Sequence, residues 1–311
     1  MSEFQLIARH FANLTPTGVG VLLGIGDDAA LLEAPPGRQL VTTLDTLVSG
    51  RHFLADADPC NLGHKALAVN LSDLAAMGAE PAWALLSLTL PEADDRWLDA
   101  FARGFGDLAR RHGVALVGGD TCKGPLSISV QLTGLVEPGR SLRRDGARPG
   151  DAIFVTGSLG DAALALRMLQ EGRVPAPRLL QRLERPETRL AEGRALAGIG
   201  SACIDLSDGL VADLGHICER SGCGASLQAR ALPLSPEVAR HLESTGDWQP
   251  PLAGGDDYEL CFTVPPQRHE ALAASGVACT RIGELVSGSG VTVLDENGRA
   301  LPSFRGFDHF P

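Results

Sequence analysis

Apolar residues recur along this chain with two different periods. Short apolar runs at 19–23, 40–44, 83–90, 114–117 and 127–136 have the length and β-branched content of strands. Between them, apolar positions return every three or four residues. Leu62, Ala66, Val69, Leu74 and Met77 fall on one helical face. Asp58 before Pro59 marks the start of that helix, and Gly78 its end. A second helix is expected over 96–111, closed by Gly113. From 137 to 151 the period is lost among Pro138, Gly139, Gly146, Pro149 and Gly150, with Arg140, Arg143, Arg144 and Arg148 between them. This stretch reads as a link between two domains, 1–137 and 138–311. Its arginines fit either a solvated linker or an anion contact. The second half resumes with strands at 152–156, 202–205 and 260–264. Helices follow Gly160 as far as 169 and span 189–197 and 210–219, and short strands and turns alternate in the tail. Strands and helices mix in both halves, so the expected fold class is α/β (α+β) in two domains.

Composition narrows the function classes. A chain of 311 residues suits about two domains, and 44% hydrophobic content excludes a mainly disordered chain. The charge balance, 27 − 38 = −11, excludes a basic nucleic-acid surface. No apolar run approaches the ~20 residues of a membrane span, and Met1-Ser2-Glu3-Phe4 does not begin a signal peptide. No membrane association and a cytoplasmic location are therefore expected. The seven cysteines form no CxxC pair and read as small buried hydrophobes of a reducing compartment.

The acids carry the chemistry. Six short segments set carboxylates beside glycine or hydroxyl residues, mostly at predicted strand ends: 26–28, 43–46, 71–73, 118–121, 205–209 and 254–257. One such Asp is ordinarily a cap or turn residue, as Asp58 is. Six together cannot converge without compensating cations, and hard divalent ions with oxygen ligands meet that need. Residues 24–29 also fit G-x-G-x-x-A, but Asp27 and Asp28 would repel a bare pyrophosphate. The chain contains no P-loop and neither the H-R-D nor the D-F-G kinase motif. A carboxylate site built around metal ions suits phosphoryl transfer, in which the protein mainly positions reactants and neutralises charge.

Taken together, GIGDDAALL (24–32), TLDTLVSGRHF (43–53), KALAVNLSDLAAMGAEP (65–81), GGDTCKGPL (118–126), IDLSDGLVADLGHI (204–217), GGDDYELCFT (254–263) and GFDHF (306–310) resemble the thiamine-monophosphate kinase family. That family belongs to the superfamily of aminoimidazole ribonucleotide synthetase and selenophosphate synthetase. The resemblance runs over essentially the whole chain. It implies transfer from ATP to thiamine monophosphate by an ATP:thiamine-phosphate phosphotransferase. It also implies a homodimer whose amino-terminal sheets pair into a barrel, with ATP and several Mg²⁺ ions between the domains and K⁺ as a further aid. The metal ligands it implies are Asp28, Thr43, Leu44 through its backbone, Asp45, Asp73, Asp120, Asp205 and Asp208. ATP contacts would fall on Gly119, Asp120, Arg144 and Ser207, and thiamine phosphate contacts on His52, Asp256 and Phe307. The family commonly carries a hydroxyl residue in place of Leu44, Glu in place of Asp256 and Tyr in place of Phe307.

A phosphate monoester, with a second pKa near ~6, is already largely a dianion at neutral pH, so no general base is needed. Direct in-line transfer follows, with Asp45, Asp73 and Asp120 holding the bridging metal and Arg144 steadying the ATP phosphates. Other readings are a sister enzyme with a different small acceptor, a non-catalytic nucleotide or thiamine-phosphate binder, and an acidic Ca²⁺ protein. The last lacks the D-x-[DN]-x-[DN]-G loop. Trp83 is expected in the core. Tyr258 is placed either to line the substrate pocket or to pack.

Overall fold

Unit 1, Met1–Leu74 with Ala79–Gly139, and unit 2, Ala75–Gly78 with Arg140–Pro311, are the two compact bodies of this computed structural model, which describes residues 3–306. Unit 1 opens with α1 (Glu3–His10) and the antiparallel pair β1 (Val21–Leu23) and β2 (Leu31–Leu32). It continues with β3 (Gln39–Val48), α2 (Pro59–Ala76), β4 (Glu80–Leu90), α3 (Asp95–His112), β5 (Ala115–Lys123) and β6 (Ser127–Val136). The four long strands form one sheet in the order β3-β6-β4-β5, antiparallel except where β4 pairs with β5.

Local chemistry sets the helix ends. The Asp58 carboxylate accepts the Asn61 amide at 2.9 Å ahead of α2. Asp94 caps α3 by accepting from the amides of Arg96 and Trp97, and Gly113 turns left-handed at its other end. Helix α2 is buried on every side from 62 to 72, well beyond the single apolar face the sequence suggests. It crosses α3 at glycines. A Cβ on Gly63 would lie 2.1 Å from the Phe101 carbonyl oxygen, and one on Gly104 1.8 Å from that of Cys60. Trp83 is buried as expected, its indole N–H donating to the Val19 carbonyl at 2.7 Å. The other sheet face of unit 1 exposes Leu40, Leu44 and Val48 of β3 and Leu85 of β4.

Unit 2 contains β7 (Ala152–Thr156), α4 (Asp161–Gln170), α5 (Pro177–Glu184), α6 (Leu190–Leu196), β8 (Ala202–Asp205), α7 (Leu210–Ser221) and β9 (Gly224–Gln228). Then come α8 (Pro236–Thr245), α9 (Gln249–Ala253), β10 (Leu260–Val264), α10 (His269–Ser275), β11 (Cys279–Val286) and β12 (Gly290–Leu294). The six strands are ordered β12-β9-β11-β7-β10-β8, and only β12 and β9 run parallel. Ile153, Val155, Ile204, Leu214, Ile217 and Cys261 fill the core between sheet and helices. The arginine-rich stretch after Gly139 packs within this unit. Leu142 and Ala147 are buried, and the Cys203 amide donates to the Arg143 carbonyl at 3.0 Å. Among the described residues, no helix is long and apolar enough to cross a membrane.

Candidate active site

Strand alternation places Thr43 and Asp45 on one face of β3, while Leu44 between them points the other way and is 63% exposed. On α2, Asn70 and Asp73 lie three residues apart and share a face. Thr43 Oγ1 donates to Asp73 Oδ2, and the Asp45 amide donates to Asn70 Oδ1 at 3.2 Å. The Asp73 carboxyl lies beside that of Asp45. Burial, then the neighbouring Asp73, raises the Asp45 carboxyl to about 7. Two carboxyl groups in this position must share a proton or a cation. A divalent ion here would remove the repulsion and meet three hard oxygen donors, Thr43, Asp45 and Asp73, so these residues fit Mg²⁺-type chemistry.

The other unit 1 candidates stand apart from this pair. Asp120 lies on β5 in the row Thr46–Ser129–Ser87–Asp120, with two strands between it and β3. The adjacent row, Asp45–Val130–Leu86–Gly119, contains Asp45. Gly119 has φ of 151°, and a Cβ there would meet the Leu86 carbonyl oxygen at 1.8 Å. Asp28 is exposed between β1 and β2, its amide donating to Asp27 Oδ1 at 2.9 Å. Among the described residues, no group of three or more His, Cys, Asp or Glu side chains is arranged to hold a metal ion. His52 follows β3, and its Nδ1 accepts the Val48 amide at 3.0 Å. In the neutral ring the proton is thereby assigned to Nε2.

In unit 2, two of the sequence motifs meet. Asp205 ends β8, and Leu206, Ser207, Asp208 and Gly209 lead into α7. The 254–259 segment lies against this loop. The Asp256 amide donates to the Ser207 carbonyl at 3.0 Å, Tyr258 to that of Leu206 at 2.8 Å, and Leu206 to that of Glu259 at 2.9 Å. A Cβ on Gly255 would lie 2.3 Å from the Ser207 carbonyl oxygen. Asp256 and Tyr258 both take positive φ, 68° and 49°, a conformation side chains adopt at a cost. The Tyr258 hydroxyl donates to Asp256 Oδ1 at 2.8 Å, so it orients a candidate substrate-binding carboxylate. Between these two residues Asp257 is buried, with both carboxylate oxygens accepting from the Gly160 amide, and burial raises it well above the ordinary carboxylate range. Glu259 is likewise buried, between Arg182, Arg189 and Thr156. Arg144 is exposed, and its carbonyl accepts the Ser221 hydroxyl at 2.8 Å. Phe307 lies outside the described residues.

The sequence reading missed two residues that shape these sites, Asn70 and Asp213. Asn70 lies three residues before Asp73, on the face that meets β3. Asp213 lies four residues after Gly209, one helical turn into α7, and that spacing was the available signal.

Comparison with known proteins gives the family of this chain. The family described as AIR synthase related protein, N-terminal domain, matches residues 26–136, and its C-terminal domain counterpart matches 148–296. Thiamine-monophosphate kinase of Salmonella typhimurium is 47% identical over 99% of this chain and 98% of its own length. The crystal structure of thiamine-monophosphate kinase from Stenotrophomonas maltophilia is 46% identical, covers 96% of both chains and superposes with a TM-score of 0.84. A structure described as AaThiL complexed with AMPPCP and TMP is 37% identical over 92% of each chain, with a TM-score of 0.80. The chain belongs to the thiamine-monophosphate kinase family of AIR-synthase-related proteins.

Proposed function

We propose that this chain transfers the γ-phosphoryl group of ATP directly to the phosphate of thiamine monophosphate, yielding thiamine diphosphate and ADP. The observation that carries this reading is the Asp45–Asp73 pair, a hard-oxygen site that calls for a cation, in a chain whose full-length relatives bear the name of this reaction. A divalent cation, taken to be Mg²⁺ with K⁺ as a further aid, supplies charge neutralisation between two phosphate groups when bound. Thr43, Asp45 and Asp73 hold it. Asp28, the Leu44 backbone, Asp120, Asp205 and Asp208 complete the proposed metal set.

Gly119, Asp120, Arg144 and Ser207 are assigned to ATP, with the Arg144 guanidinium against its phosphates. His52 offers Nε2–H to the acceptor phosphate, because Nδ1 is already committed to the Val48 amide. Asp256, aimed by Tyr258, faces the cationic thiazolium, and Phe307 is assigned to the same substrate. The acceptor is already anionic, so no side chain acts as general base, and displacement is in-line. Retention of configuration at phosphorus would overturn that mechanism. The exposed leucines of β3 and β4 support a homodimer in which a second copy covers this sheet face and the two sheets close into a barrel. A single-chain mass at working concentration would overturn the dimer. The compartment is taken to be the cytoplasm, where ATP is maintained.

The direct test is an end-point assay with Mg-ATP and thiamine monophosphate, reading thiamine diphosphate as its oxidised fluorescent derivative. Free thiamine and Asp45→Asn protein run alongside. Product from the monophosphate only, lost in Asp45→Asn, is the expected result. ATP binding without product would replace this acceptor with another.

A further inference from the structure

Four consecutive amides, from Leu206 to Gly209, form the turn between β8 and α7. The first is used by the Glu259 carbonyl. The other three, of Ser207, Asp208 and Gly209, all donate to one atom, Asp213 Oδ2, at 3.0, 3.0 and 3.1 Å. Asp213 is 3% exposed, so this carboxylate is an internal part of the loop. Its own amide makes the first turn of α7 by donating to the Gly209 carbonyl at 3.0 Å. The residue therefore belongs to the helix through its backbone and to the preceding loop through its side chain. On the other side, the carbonyls of Leu206 and Ser207 are taken by Tyr258 and Asp256. Gly209 adopts φ 113°, ψ 148°, and a Cβ there would lie 2.7 Å from the Ala253 carbonyl carbon. A Cβ on Gly306 would lie 2.6 Å from the Asp208 carbonyl oxygen.

We infer that Asp213 is a positioning residue for the phosphoryl-transfer site: it gathers the three amides and so fixes where the side chains of Ser207 and Asp208 present themselves to metal-bound ATP. This rests on the kinase reading above. Two properties of the arrangement carry it. Three adjacent N–H groups directed at one point would otherwise repel one another, and an acceptor in their midst makes that turn the stable one. The acceptor is also supplied from one turn further along the chain, on a helix packed in the core of unit 2, and not by a bound ligand. The loop is thus set before substrate arrives, which lowers the ordering cost of binding.

Three variants test this: Asp213→Ala, Asp213→Asn and Asp213→Glu. In Asp213→Ala, amide exchange in the peptide covering 206–210 is expected to rise at least about tenfold, while the β7 and β10 peptides stay protected. The dissociation constant for Mg-AMPPCP, by calorimetry, and KM for Mg-ATP are expected to rise about tenfold or more, with KM for thiamine monophosphate within about threefold of the parent. Asn retains an acceptor oxygen at the same reach and is expected to restore nucleotide affinity to within about threefold. Glu is one methylene too long and is expected not to restore it. Should Asp213→Ala fail to fold, the Asn and Glu pair decides. The inference is overturned if Glu restores affinity and Asn does not, since charge and not acceptor placement would then matter. It is also overturned if nucleotide affinity is unchanged while loop exchange rises. Absence of product from the parent protein would overturn the kinase reading alone, because the exchange and AMPPCP arms need no phosphoryl acceptor.

Discussion

In unit 1, Asp45 and Asp73 face each other between a strand and a helix, and burial leaves them in need of a shared proton or a cation. In unit 2, Asp205 precedes and Asp208 lies within a turn, three of whose amides already end on an internal carboxylate, Asp213. The first arrangement is electrostatically incomplete, and the second is satisfied within the chain. The difference separates two tasks. Unit 1 stores a demand for positive charge that a bound cation would answer, and unit 2 presents groups whose positions are settled by hydrogen bonds. Substitutions in the two places should therefore fail differently.

The largest effect should come from removing the demand. Asp45→Asn is expected to lower kcat/KM by about 10³-fold or more, on the scale of several kcal/mol for metal stabilisation of transition-state charge. Its metal-free melting temperature should stay level or rise, because a buried repulsion disappears. A melting temperature that falls along with activity would break the contrast. Next in size is Gly119→Ala, whose new Cβ has nowhere to go beside the Leu86 carbonyl. A loss of about 3 kcal/mol or more is expected in urea unfolding.

A pH series sharpens the same point. The folded state holds the Asp45 proton more tightly than the unfolded chain does, with a value raised from 3.8 to about 7. The contribution of Asp45 to stability is therefore greatest below pH 4, declines as pH rises toward 7, and is level above that. Metal-free protein should show this decline by calorimetry, and Asp45→Asn should flatten it. Mg²⁺ should oppose it, by holding the carboxylates ionised. The smallest effect belongs to unit 2. Tyr258→Phe removes one hydrogen bond to Asp256 and should raise KM for thiamine monophosphate about three- to tenfold, with KM for ATP unchanged. Equal changes in both constants would mean that the hydroxyl supports the whole loop and not one carboxylate.

Much of this was legible in the sequence where local rules act alone. Asp58-Pro59 and Gly113 mark helix ends because capping is decided within one turn. The acidic segments gave the candidate site because carboxylates beside glycine are conspicuous whatever surrounds them. Tertiary pairing defeated the reading elsewhere. The 118–123 stretch looked like a loop after a strand, but it continues β5 because β4 pairs with it as far as Lys123. Helix α5 reads as polar in sequence, since its buried contacts are Leu179, Leu183 and an arginine, Arg182, whose partner Glu259 is far away in sequence. Strand β9, Gly-Ala-Ser-Leu-Gln, has side chains too small to show a period. The pairing of Asp45 with Asp73 depends on how a helix lies against a sheet, which no local pattern encodes.

The crossing of α2 and α3 has its own consequence. Gly63 and Gly104 let the two backbones touch, and Asp73 projects from the far end of the same helix, thirteen residues and about 20 Å beyond Cys60 at 1.5 Å per residue. The helix is in effect a lever pivoted on a contact that admits not even one methyl group. Any side chain at position 104 would lift the pivot and change the gap between Asp73 and β3 that is proposed to hold a cation. An apparent loss of metal affinity could then arise from a residue that lies far from any carboxylate and carries no chemistry of its own.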